Sequence, residues 1–188
     1  MTTHHIDIRV VPDAEAGTAQ MLAALYGRLH LMLVQQRTSS IGISFPGYSI
    51  RPRALGDVLR LHGSEGALSD FMRTDWLGGM REHVRLGGIA PAPPDAPHRT
   101  IRRRQFKTSA ERLRRRRMRR KGETEQQAAH AIPDTVERRP DLPYMHVRSR
   151  SNGQLFCMFI AMGPLANEGT PGHFNSYGLS DGATVPWF

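Results

Sequence analysis

The 188-residue chain has a single cysteine, Cys157, and that scarcity closes off two architectures. It allows neither an intrachain disulfide framework nor a cysteine-based zinc cluster, so a reducing, cytoplasmic setting is the simpler expectation. Aromatic residues are few, at 7% of the chain. No apolar run approaches the ~20 residues that a membrane span requires. The opening Met1-Thr-Thr-His-His-Ile-Asp7 lacks the basic start and apolar stretch of a signal peptide, so no membrane partner is expected. The nine histidines are scattered with no His-x-x-x-His pair, and no Asp-x-Asp occurs. Walker loops and Gly-x-Gly-x-x-Gly are missing as well. Magnesium-dependent nuclease chemistry therefore has little support in the sequence, and no metal or cofactor is expected.

What the chain has in excess is positive charge, nearly all of it in one place. Lys and Arg total 26 against 17 Asp and Glu, a formal +9. Between Ile101 and Lys121 lie twelve basic residues, ten of them arginine, with one acid, Glu111, for a net +11. The remainder holds 14 basic and 16 acidic residues, a net −2. Thr108-Ser109 before Ala110-Glu111 reads as a helix start, nothing from Glu111 to Lys121 breaks a helix, and Gly122 supplies a stop. Leu113 and Met118 give too little apolar stripe to bury this helix against a core. Arginine on nearly every side instead predicts contact with a polyanion or with water. A guanidinium forks onto phosphate or a guanine edge, which makes nucleic acid the leading partner. A disordered basic tail is the plainer reading, but such tails are usually terminal and this run is internal.

The first ninety residues alternate in period. His5–Val11 places Ile6, Ile8 and Val10 against Asp7 and Arg9, a half-buried strand. Leu22, Leu25, Leu29 and Leu33 fall at helical spacing within 18–36. Strands follow at Ile41–Phe45 and Val58–His62, a helix at Ser64–Leu77 and a last strand over Met80–Leu86. The order β-α-β-β-α-β predicts a ferredoxin-like domain within an α+β fold, a topology that hosts many functions. Its central strands lack the stacked aromatic pair of a standard RNA-recognition motif. Pro91–Pro97 reads as a stiff linker. Beyond it come the arginine segment, a short helical patch over Glu123–His130, and a hairpin of Tyr144–Arg148 with Leu155–Ile160 around Ser151-Asn152-Gly153. A closing strand is expected at Val185–Phe188. The expected division is 1–95, ferredoxin-like, and 96–188, a second α+β domain with the arginine-rich helix and the hairpin.

Cleaving RNA without a metal asks little of a protein, because the 2′-hydroxyl is the nucleophile. An enzyme must fix geometry, withdraw a proton and stabilise charge. A histidine, with an ordinary pKa of ~6.5, suits the proton transfer. The sequence offers His30 on the first long helix, with hydroxyls at Ser149, Ser151 and Tyr177. Spacing alone does not single His30 out, and the two serines also read as solvated turn residues. Residue-level reasoning reaches an RNA- or DNA-binding protein, with metal-free RNA cleavage as one option.

A series of blocks adds to this: Ile6-Asp-Ile-Arg9, Leu25-Tyr-Gly-Arg-Leu-His30, Ile41-Gly-Ile-Ser-Phe-Pro46, Glu111-Arg-Leu-Arg-Arg-Arg116 and Ile132-Pro-Asp-Thr-Val136. Arg148-Ser-x-Ser-x-Gly-Gln154, Tyr177-Gly-Leu-Ser180 and the terminal Val-Pro-Trp-Phe188 continue it. In this order and spacing, the chain resembles the subtype I-F, Csy-type endoribonucleases that process CRISPR precursor RNA at a repeat hairpin. The resemblance implies that His30 is the general base or proton shuttle and that Ser149 holds the attacking ribose hydroxyl. Ser151 and Tyr177 would position the histidine, while Phe156 would stack on the base pair closing the stem. It further implies base-edge contacts from Arg103 to guanine and Gln105 to adenine. The arginine helix would lie in the hairpin's major groove, with Arg115, Arg116, Arg119 and Arg120 on phosphates and an edge near the loop. Arg117 departs from the family pattern and makes the helix more uniformly basic.

The implied reaction leaves a 2′,3′-cyclic (or 3′) phosphate and a 5′-hydroxyl. The implied partners are the repeat stem-loop, in precursor and mature CRISPR RNA, and the other subunits of a type I-F surveillance complex, with the protein itself a monomer on RNA. A non-catalytic hairpin-binding assembly subunit of a CRISPR or transposon-associated complex is the alternative. A DNA-binding regulator fits the charge but not the blocks.

Overall fold

The computed structural model describes residues 2–11, 15–106, 109–136, 140–148 and 153–188. In chain order the elements are β1 (His4–Val10), α1 (Thr18–Gln36), β2 (Gly42–Ser44), β3 (Ser49–Ile50), β4 (Arg53–Ala54), β5 (Val58–Gly63) and α2 (Glu65–Met72). They continue with β6 (Val84–Leu86), β7 (Ala90–Pro91), β8 (His98–Arg99), β9 (Ile101–Arg104), α3 (Ala110–Lys121), α4 (Glu125–Ala131), β10 (Tyr144–Arg148), β11 (Leu155–Met162) and β12 (Val185–Pro186). No helix of the described residues is long and apolar enough to cross a membrane.

Two compact units result. One comprises residues 1–104 and 142–188, the other 105–141. This partition differs from the expected cut near residue 95, and the core shows why. Ile101, Met145, Val147, Met158, Ile160 and Val185 are buried in the same cluster as Ile6, Leu25 and Leu61. A chain cut at 95 would divide one apolar interior.

In the larger unit the main sheet runs β2-β5-β1-β6, with every neighbour antiparallel. Counting those four strands in sequence, the order is 4-1-3-2, that of the expected ferredoxin-like arrangement. α1 forms where expected because Met21, Leu22, Leu25, Tyr26, Leu29 and Leu33 recur every three or four residues and are all buried. α2 is shorter than its pattern and ends at Met72, yet Trp76 still packs on Phe71 at 5.5 Å. The strand expected over 80–86 is a 3-10 turn at Gly78–His83, followed by three strand residues. The start of the proline segment is not free of ladder structure, since Ala90 and Pro91 pair with His5 and His4. The expected turn at Ser151-Asn152 lies outside the described residues, whereas the neighbouring Gly153 has φ +67°. The closing strand is short, with Val185 and Pro186 opposite Arg99 and His98.

His62 is fully buried on β5, and its Nε2 lies 2.8 Å from Ser44 Oγ. Burial holds this imidazole well below the ordinary value, and Arg60, His5 and His98 push it the same way. It is therefore neutral in the folded protein. The unfolded chain binds that proton below about pH 6.5, so the stability His62 contributes is complete above that pH and lost as pH falls. Melting temperature should drop between pH 7 and pH 5, and a His62→Gln variant should show a shallower drop.

The smaller unit is built around α3. Ser109 Oγ caps it by accepting from Arg112 N at 3.1 Å, and Gly122 ends it with φ +67°, a left-handed turn that suits glycine. α4 opens with a capping box between Thr124 and Gln127. Ala110 and Ala128 are buried in this unit. Arg114 donates to the Ile132 carbonyl at 2.8 Å and to Asp134 at 2.7 Å, while Arg117 forks onto Glu123 at 2.6 and 3.0 Å. The expectation that the helix lacks a packing side is thereby corrected. Its inward face uses arginine stems and acid partners where an ordinary helix would use leucine.

Candidate active site and RNA-binding residues

The larger unit brings together two regions that are far apart in sequence. His30 lies near the middle of α1, and its Nδ1–H donates to the Ser176 carbonyl at 2.7 Å. That bond commits Nδ1 as the donor and leaves the Nε2 lone pair as the ring's acceptor. Tyr177 lies over the imidazole with ring centroids 4.0 Å apart and planes within 3° of parallel. The contact is therefore through the ring face, not through the hydroxyl that the sequence brought forward. Tyr177 thus covers one face of the imidazole.

The loop that presents Ser176 and Tyr177 is held from three directions. Asn175 Oδ1 accepts from the Tyr177 and Leu179 amides at 2.9 and 3.2 Å, an Asx turn. Gly178 has φ +70°, and its carbonyl accepts from Ile43 N of β2 at 3.0 Å. The third hold is Tyr26, fully buried one helical turn before His30, whose hydroxyl donates to the Tyr177 carbonyl at 2.9 Å. Residues four apart on a helix share a face, so Tyr26 and His30 grip consecutive carbonyls of one loop.

Tyr26 was not picked out in sequence as a site residue. Its Phe variant keeps the ring and removes only the bond, so cleavage should slow about 5- to 30-fold, the worth of ~1–2 kcal/mol. Hairpin affinity should be unchanged, and single-turnover kinetics beside an anisotropy titration would check both.

Arg103 on β9 sits at the edge of this group. Its guanidinium carbon is 4.9 Å from the centre of the half-buried Phe156 ring and 5.9 Å from that of Tyr177. Its Nε is buried without a hydrogen-bond partner. His30, Tyr177, Arg103 and Phe156 thus form a chain of ring and cation contacts within one unit. Ser149 and Ser151 lie outside the described residues.

Gln105 and the helix arginines belong to the smaller unit. Gln105 is exposed. Arg112, Arg115, Arg116, Arg119 and Arg120 are exposed on α3, and their spacing puts them on one side of it. Arg115 pairs with Glu111. Since Arg114 and Arg117 bind inward, charge available to a polyanion is concentrated on the other side.

Residues 5–188 match the CRISPR-associated protein (Cas_Csy4) family. The chain is 45% identical over 185 residues to the CRISPR-associated endonuclease Cas6/Csy4 of Pseudomonas aeruginosa (strain UCBPP-PA14), covering 98% of this chain and 99% of that protein. It is 38% identical, with the same coverage, to the CRISPR-associated endonuclease Cas6/Csy4 of Escherichia coli (strain UTI89 / UPEC). The likeness is one of whole chains, not of a shared motif.

Proposed function

We propose that this chain, which belongs to the CRISPR-associated protein (Cas_Csy4) family, is a metal-independent endoribonuclease that cuts precursor CRISPR RNA at the base of a repeat stem-loop. The observation that carries the reading is the His30 arrangement: one nitrogen committed to Ser176, the other free to accept, and Tyr177 stacked on the ring. His30 Nε2 takes the proton of the ribose 2′-hydroxyl. The 2′-oxygen bonds to the adjacent phosphorus, the bond from phosphorus to the 5′-oxygen breaks, and that oxygen takes a proton from solvent while His30 returns its own to solvent. The products carry a 2′,3′-cyclic phosphate upstream and a 5′-hydroxyl downstream. Ser149 orients the attacking hydroxyl and Ser151 supports the site. Phe156 stacks on the closing base pair, worth about 1–3 kcal/mol per base. Arg103 and Gln105 read base edges, whereas Arg115, Arg116, Arg119 and Arg120 meet phosphates. The product hairpin stays bound, and the protein remains with it as a subunit of a type I-F surveillance complex.

Cleavage of the cognate repeat should proceed in excess EDTA and stop when the scissile nucleotide carries a 2′-hydrogen, with binding retained. A requirement for added metal, or cleavage of the 2′-deoxy substrate, would overturn the mechanism. Binding without any cut strand would point to an assembly subunit. Replacing Arg103 or Gln105 should cost roughly 1–3 kcal/mol and relax preference at one base pair. Replacing Arg119 or Arg120 should weaken all hairpins and flatten the salt dependence. Indistinguishable behaviour of the two groups would reject the division into base readers and phosphate clamps.

A further inference from the structure

One face of the larger unit carries recognition chemistry that the cleavage reading leaves unused. β10, β11 and β9 form an antiparallel sheet in which Tyr144 opposes Phe159, His146 opposes Cys157 and Arg148 opposes Leu155. β9 adds Arg104 beside Phe159 and Arg102 beside Ala161. Directly opposed residues project to the same side, so these groups share one face, and Met145, Val147, Met158 and Ile160 fill the other, buried side.

The open face has the composition of a single-strand platform. Tyr144 is 42% exposed. Its ring meets His146 edge-on at 5.3 Å and Phe159 at 5.3 Å. Arg102, Arg104 and Arg148 have no carboxylate partner among the described residues, although Arg148 also donates to the Gly153 carbonyl at 2.9 Å. None of the three strands carries an acidic residue. Unpaired guanidiniums around an exposed aromatic favour a polyanion whose bases are free to stack, whereas a paired stem hides its bases.

We infer that this face binds single-stranded RNA flanking the hairpin, with a base on Tyr144 and phosphates on the arginines. The inference rests on the RNA-directed reading above and extends it from the stem to its flanks. Aromatic-bearing sheets of this kind stack two or three bases.

Cys157, the chain's single cysteine, is exposed at the middle of the face and reports on its coverage. Its alkylation by N-ethylmaleimide would be timed for the protein alone, with a bare hairpin, and with the same hairpin carrying single-stranded extensions on both sides. Both RNAs would be 2′-deoxy at the scissile nucleotide. The bare hairpin should leave the rate unchanged, and the extended RNA should slow it at least fivefold. In anisotropy titrations the extensions should improve affinity about tenfold, the worth of one well-stacked base. Tyr144→Ala and, independently, Arg104→Gln should each remove most of that gain while keeping the affinity for the bare hairpin. Equal alkylation with both RNAs, or variants that weaken both RNAs alike, overturns the inference. If both RNAs bind and the extended one leaves Cys157 unprotected, only this inference falls. If neither RNA binds, the cleavage reading falls with it.

Discussion

A His30→Ala variant should cut the repeat about 10²- to 10⁴-fold more slowly, the range that a positioned general base contributes. Its affinity for the uncut hairpin should stay within about twofold, because in the proposed reading binding comes from arginine-to-phosphate contacts and base readout, to which the His30 ring adds little. The contrast isolates the proton transfer from recognition. Single-turnover cleavage and anisotropy with the 2′-deoxy RNA would measure the two halves, and an undiminished rate would remove His30 from the mechanism. The stacked partner sharpens the test. Tyr177→Phe keeps the ring that lies 4.0 Å from the imidazole and should cleave nearly as well as the natural protein. Tyr177→Leu removes the π-face and should lose about 2- to 30-fold, the span of cation–π strengths from exposed to desolvated sites. Were the hydroxyl the working group, the order of these two variants would reverse.

The second large effect should come from a single methyl group. In Gly178→Ala the new Cβ would lie 2.7 Å from Ile43 Cγ2, inside contact distance of a fully buried side chain on β2. The residue would also hold φ +70°, which costs a non-glycine residue roughly 1–2 kcal/mol. Overpacking adds typically 1–3 kcal/mol more, so a loss of about 2–5 kcal/mol in stability is expected from denaturant melts. The loop's way out is to move off β2, and the Ser176 and Tyr177 carbonyls move with it. Misplacement of about an ångström costs on the order of 100-fold in rate, so cleavage should fall far more than the folded fraction does. A rate loss that merely tracks unfolding would show that the loop does not set the position of the imidazole.

α1 was legible because six buried residues repeat at helical spacing, and α3 because Ser109 and Gly122 mark its ends. The ferredoxin-like order emerged from alternation in strands whose two faces differ. The segment at 78–83 was not legible: Met80, Glu82, Val84 and Leu86 alternate as a strand would, but a 3-10 turn also brings apolar side chains inward at short spacing. β9 was hidden for another reason. Arg102, Arg103 and Arg104 read as one block of charge, and only pairing with β11 separates Arg103 from its neighbours. Composition has no period when every residue is the same. The helix arginines present a similar case, since Glu123 and Asp134 decide which of them turn inward. In the site, His30 and Tyr177 were nameable from the family resemblance. Ser176 was not, because it acts through its carbonyl, and a backbone group leaves no mark on residue identity. Tyr26 escaped notice because a buried tyrosine with one hydrogen bond has the same spacing as any core residue.

The bond from His30 to Ser176 spans 146 positions of sequence. Synthesis runs from the N-terminus, so α1 and its histidine leave the ribosome long before the loop that fixes their chemistry. In the later part of that interval, once residue 121 is made, the arginine helix is complete while the imidazole still has no carbonyl to select its tautomer and no ring to lie against. A nascent or truncated chain therefore has the means to hold RNA before it has the means to cut it. The arrangement around His30 is therefore complete only once the chain has been made through Tyr177.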